Sequence, residues 1–189
     1  MTIRSVYLAG PDVFRPDAHE HGMRKKRICE RKGVKGLFPL DGDIEDGLSG
    51  PALAAAIYEH NMELLRKADA VIANLSPFRG ANCDPGTAFE LGAAVALGKK
   101  TAAYMCLPSG MSYDLAKRTI ALCNGAKDDK DVWRDGLGME IEDFGLPENL
   151  MLSVPTHLWF ERIPDGQGAL IDDLGVFETA LDSLLQNHH

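Results

Sequence analysis

The sequence predicts an α/β fold, a doubly wound, mostly parallel sheet flanked by helices. Apolar runs of strand length recur at 5–9, 34–38, 70–75 and 101–106, and helical patterns at 17–32, 51–68 and 85–97 lie between them. Strands that alternate with helices form parallel βαβ units. The strand candidates end in turn formers, so their loops leave one edge of the sheet, where ligands bind in open α/β folds.

The first strand, SVYLA, runs into Gly10, Pro11 and Asp12, and small residues directly after a strand let a ligand approach the backbone. This is neither a GxGxxG fingerprint nor a Walker loop. The helix at 17–32 carries the basic cluster Arg24 to Arg27 with Arg31 and Lys32, read as a solvated face. After the second strand, the segment PLDGD places Asp41 and Asp43 either in a turn or as two carboxylates at the same sheet edge. In the helix at 51–68, Leu53, Ile57, Leu64 and Ala68 are spaced as an apolar stripe. Asn61 falls in the gap of that stripe, so its amide either ties helix to sheet or reaches a ligand.

The run AVIANL at 70–75 has the continuous apolar character of a fully buried parallel strand. Beyond its loop, Asp84 and Pro85 supply an N-cap and a first-turn proline, and an Ala- and Leu-rich helix follows. Glu90 lies about one and a half turns into it, among Ala88, Phe89, Leu91 and Gly92. A carboxylate buried there is costly without a partner, so Glu90 either lies on an exposed face, has a partner or does chemistry. Asp84 is a cap alone or also a site acid, and Gly86 and Gly92 permit close packing of helix on sheet. The segment 107–147 has weak apolar periodicity and only 113–123 reads as helical, whereas 171–185 has a recurring apolar face and closes the domain as a helix.

With 189 residues, 45% hydrophobic and 25% charged, the chain is expected to form one domain over 1–187, with His188 and His189 read as a tag remnant. A net charge of -8 argues against a nucleic-acid or anionic-membrane partner. No apolar stretch approaches the roughly 20 residues of a membrane span, and MTIRSVYLAG reads as a strand, so a cytoplasmic protein is expected. Cys29, Cys83, Cys106 and Cys123 form no CxxC pair, which argues against a disulfide framework or zinc site, and no metal or cofactor is implied.

The strand-end loops bring Tyr7, Asp12, Asp41, Asp43, Asp84 and Glu90 toward one edge. Carboxylates without thiol or metal suggest glycosidic chemistry, in which one carboxylate attacks an anomeric carbon and a second acid protonates the leaving group. A tyrosine hydroxyl can hold the nucleophile in place.

YLAGP at 7–11, FPLD at 38–41, Asn61, Ala68-Asp69, DPGTAFELG at 84–92 and NLM at 149–151 together resemble the nucleoside 2-deoxyribosyltransferase family over nearly the whole chain. The resemblance implies a flavodoxin-like fold and a place in nucleotide salvage. The implied reaction transfers 2-deoxyribose from one nucleobase to another through a covalent glycosyl-glutamate. On it, Glu90 matches the nucleophile, Asp84 the residue that handles the base and its proton, and Tyr7 the tyrosine that positions the nucleophile. Gly10, Asp12, Asp41, Asp43, Asn61, Gly86 and Met151 are carried over as substrate-binding positions, with Asn61 standing where some members have Asp. Asn149 matches an asparagine that a neighbouring subunit contributes, so a homo-oligomer acting on deoxynucleosides and nucleobases is implied. Two rival readings remain: a hydrolase of deoxynucleoside monophosphates, with Ser76, Arg79 and Arg15 as phosphate readers, and a nucleotide-binding module without turnover. The GTxxE element is also similar to that of cytokinin-activating phosphoribohydrolases, whose doubled glycine is missing here.

Overall fold

Residues 2–162 and 174–186 are described in a computed structural model, and their elements follow the predicted alternation. In chain order they are β1 (Ser5–Ala9), a 3-10 turn (Pro11–Phe14), α1 (Ala18–Arg31), β2 (Lys35–Leu37), α2 (Gly50–Lys67), β3 (Ala70–Asn74) and α3 (Pro85–Ala96). There follow β4 (Lys100–Cys106), α4 (Leu115–Leu122), β5 (Ala126–Lys127), β6 (Trp133–Arg134), α5 (Leu150–Ser153), β7 (Leu158–Arg162) and α6 (Leu174–Gln186).

The main sheet has the order β2-β1-β3-β4-β7 and every pairing in it is parallel. Side chains alternate across β1, so Val6 and Leu8 join the core beneath α1 and α6, while Tyr7 and Ala9 face α2 and α3. The chain turns from β1 to β2 on one side and crosses to β3 on the other. The switch in direction therefore lies between the carboxyl ends of β1 and β3, where the candidate residues cluster.

Four features differ from the sequence reading. A fifth strand, β7, was not singled out: it lies at the sheet edge and ends in Glu161 and Arg162, so it lacks the continuous apolar character of a central strand. In the segment 107–147, α4, capped by Asp114, lies within the 113–123 stretch read as helical, but the antiparallel ribbon of β5 and β6 was not foreseen. In α2 the buried side chains are Met62 and Leu65, whereas Ile57 is exposed; the first half of the helix stands away from the core, so its apolar spacing does not mark a buried face. Nor is the basic cluster simply solvated: Lys25 is buried against Asp12, and Arg24, Lys26 and Lys32 pair with Asp17, Asp41 and Asp182. Residues 171–173 of the expected last helix, and the suspected tag remnant, lie outside the described residues. Among the described residues, no helix is long and apolar enough to cross a membrane.

Candidate active site

The carboxyl edge of β1 and the first turns of α3 meet in one short contact: the buried Tyr7 hydroxyl donates to Glu90 Oε1 at 2.6 Å. Strand alternation points Tyr7 toward α3, and six residues of helix carry the chain from the Asp84 cap to Glu90. The Glu90 side chain is largely withdrawn from water, and this burial pushes its carboxyl up from an ordinary 4.5 to about 7. The Tyr7 hydrogen bond opposes that rise and the charge of Asp84 adds to it. Tyr7 itself is driven far above the ordinary tyrosine range, by burial first and by Glu90 second, so its hydroxyl is a permanent donor at neutral pH.

Asp84 does cap α3: its Oδ2 accepts from Thr87 N at 2.8 Å and from Thr87 Oγ1 at 3.0 Å. A Cβ at Gly86 would stand 3.1 Å from that oxygen, so glycine there leaves room for the carboxylate rather than for the sheet. At Gly92, by contrast, nothing lies within 4 Å of a built Cβ, and close packing is not its reason. A Cβ at Gly10 would meet Asn74 Cβ and Asp12 Oδ2 at 2.8 Å each, so this glycine is required by the close approach of β1 and β3.

Asp12 is buried beneath the crevice. Lys25 Nζ reaches its Oδ2 at 2.8 Å and Asn74 Nδ2 its Oδ1 at 3.2 Å. Asn74 Oδ1 in turn accepts from Ser76 Oγ at 2.6 Å, and Ser76 Oγ accepts from Cys106 N at 2.9 Å. This polar chain ties the carboxyl ends of β1, β3 and β4 together. Asp41 is half-buried, closing a turn onto Phe38 N and pairing with Lys26 at 2.7 Å, while Asp43 is exposed. Asn61 is half-buried, and its Oδ1 is shielded from solvent without a hydrogen-bond partner among the described residues. Asn149 caps α5, accepting from Met151 N at 3.0 Å and donating to Glu142 at 3.2 Å. The Met151 side chain is 72% exposed.

Cys83 beside Asp84 is not an activated thiol: burial, with the nearby Glu148 carboxylate second, pushes it up to about 12. Sequence reasoning missed two features. Phe14 and Phe78, from the loops after β1 and β3, stack with centroids 5.2 Å apart, and the Arg79 guanidinium lies 4.5 Å from the Phe78 ring centre. Lys25 was hidden in a basic run, although its spacing from His21, Ile28 and Cys29 puts it on the buried face of α1.

The sheet order, the crossover point and the paired Tyr7 and Glu90 define an α/β protein of the flavodoxin-like, doubly wound class with a carboxylate site at the sheet's carboxyl edge. Residues 6–151 match the family model described as nucleoside 2-deoxyribosyltransferase, and the chain belongs to that family. The 2-desoxiribosyltransferase from Leishmania mexicana is 31% identical, with a TM-score of 0.64 over 98% of this chain and 99% of its own. An uncharacterized protein of Schizosaccharomyces pombe is 43% identical over 102 residues, covering 52% of this chain and 48% of that protein. The chain thus spans about half the length of the curated relative it matches.

Proposed function

We propose that the protein transfers a 2-deoxyribosyl group between nucleobases through a covalent ester on Glu90. The observation that carries this reading is the 2.6 Å hydrogen bond from Tyr7 to a largely buried carboxylate, a few residues along the helix that Asp84 caps. Tyr7 occupies Oε1 and so leaves Oε2 for attack. The ionised oxygen attacks C1′ and the bond from C1′ to the base nitrogen breaks. The electron pair leaves with that nitrogen, which takes a proton from Asp84. A second base then attacks C1′ through its own N–H nitrogen, the ester C–O bond returns its electrons to Glu90, and the proton of that nitrogen passes to Asp84.

Asn61 fits a ligand-binding role because its shielded oxygen has no partner among the described residues. Gly10, Asp41, Asp43, Gly86 and Met151 are assigned to the walls of the same crevice, and Asp12, buried on Lys25 and Asn74, to the support beneath it. Transfer rather than hydrolysis needs the ester kept from water until a second base arrives. A second copy of the chain that brings Asn149 to its neighbour's site would supply the cover, and the exposed Tyr58, Phe89, Met151 and Val154 offer apolar surface for it.

Of the three phosphate readers that the monophosphate hydrolase would use, two are bonded within the chain and the third, Arg79, is exposed over the Phe14 and Phe78 rings. Ser76 is spent on Asn74 and Cys106, and Arg15 on Asp17. The test is chromatography of the protein incubated with deoxyinosine and adenine, beside Glu90→Ala. Deoxyadenosine formed only with intact Glu90 is the expected result. Free hypoxanthine without deoxyadenosine would overturn transfer in favour of hydrolysis, and a fully active Glu90→Ala would overturn the nucleophile assignment.

A further inference from the structure

A buried ion pair outside the groups used above links α4 to the start of α5. Arg118 and Glu148 are 2% and 1% exposed, with Arg118 NH2 3.9 Å from Glu148 Oε2. Such a pair adds little stability over apolar packing and persists where its remaining hydrogen bonds are met. Here they are met mainly by backbone groups of the surrounding loops. Arg118 donates to the carbonyl oxygens of Ala81 at 2.9 Å and Pro147 at 2.6 Å, and its NH1 to those of Ser112 and Tyr113. Glu148 accepts from Asn82 Nδ2 at 2.7 Å, Cys83 N at 2.8 Å and Asn149 N at 2.9 Å. The bonds therefore converge on 81–83, which delivers Asp84, and on 147–149, which ends in Asn149.

We propose that Arg118 and Glu148 are positioning residues that hold Asp84 and Asn149 in register, one buried pair setting two site residues at once. The inference rests on the roles proposed for those two residues. A catalytic group displaced by about 1 Å can lose about a hundredfold in rate, so the loop leading into Asp84 has to be fixed from outside the helix it caps. Glu148 does this with a carboxylate that accepts three donors. Glutamine at 148 would keep the size but exchange one oxygen for an NH2 group, leaving at least one of those donors facing another donor.

The test compares Glu148→Gln with Leu184→Ala, a destabilising change in the core beneath α6 on the other face of the sheet. In transfer assays, Glu148→Gln is expected to lower kcat by about 10- to 100-fold with KM moved less than about threefold, whereas Leu184→Ala keeps kcat within about twofold. Asn82→Ala, at an exposed position, removes one of the three donors and should lower kcat by about threefold. Amide hydrogen exchange provides an arm independent of turnover: Cys83 and Thr87 should exchange faster in Glu148→Gln and not in Leu184→Ala. Unchanged exchange at those amides, or a Glu148→Gln kcat no lower than that of the Leu184→Ala control, overturns the proposal. If the unmodified protein transfers no sugar, the proposed function fails and the exchange arm alone decides this one.

Discussion

A carboxylate kept in a poor environment for its own charge should weaken the fold, and Glu90 gives this a magnitude. Its carboxyl is raised from 4.5 unfolded to about 7 folded, chiefly by burial. An acid whose folded value is raised binds protons more tightly in the native state, so its contribution is fully present below the unfolded value and is lost as pH rises through the folded one. At about 1.4 kcal/mol for each pH unit, the ionised side chain costs about 3 kcal/mol near pH 8 and less than about 1 kcal/mol near pH 5. The larger figure is an upper bound, since Glu90 retains some contact with water. Glutamine at 90 removes the charge, keeps the shape and still offers Tyr7 an acceptor. Glu90→Gln should therefore melt higher than the unmodified protein near pH 8, by up to roughly 6–12 °C for a chain of this size, and within a few degrees of it near pH 5. Thermal denaturation at the two pH values reads this directly. A gain that is the same at both, or a loss at pH 8, would refute burial as the origin of the perturbed carboxyl.

Two further changes probe the same framework. Tyr7→Phe removes a hydrogen bond that favours the charged form of Glu90; bonds to charged groups are worth about 1.5–3 kcal/mol, so the acidic limb of kcat/KM should move up by about 1–2 pH units, and an unmoved limb would contradict the tuning role. Lys25→Met strands the Asp12 carboxylate in the interior and should cost about 3–5 kcal/mol in denaturant unfolding at neutral pH, with much of it recovered by adding Asp12→Leu; failure of the double variant to recover would show that the pair is not the source.

Much of this was legible because the signals were local. AVIANL became the fully buried β3, and Asp84 with Pro85 opened α3 where a cap and a first-turn proline predict it. The pairing of Tyr7 with Glu90 spans 83 residues, and strand alternation fixes only that Tyr7 opposes Val6 and Leu8. Which helix covers that face is a property of the crossover, not of the strand. Arg118 and Glu148 gave no local signal: one lies in a helical stretch and the other just beyond a weakly periodic segment, and each is explained mainly by backbone groups of loops that only the folded chain brings together. The stripe in α2 misled because spacing reports which side chains share a face, whereas burial depends on whether another element lies against it.

The opposed influences on Glu90 also suit the proposed cycle. Burial penalises its anion, so in that cycle conversion to a neutral ester would relieve the cost of the buried charge. Asp84 pushes Glu90 the same way only while it is itself charged. In the proposed sequence Asp84 passes a proton to the departing base when Glu90 is esterified and neutral, so at that stage the two groups do not oppose one another. An arrangement of this kind requires the separation between α3's cap and Glu90 to stay fixed through the cycle, which a helix provides along its axis and which the buried contacts on the 81–83 loop provide at its start.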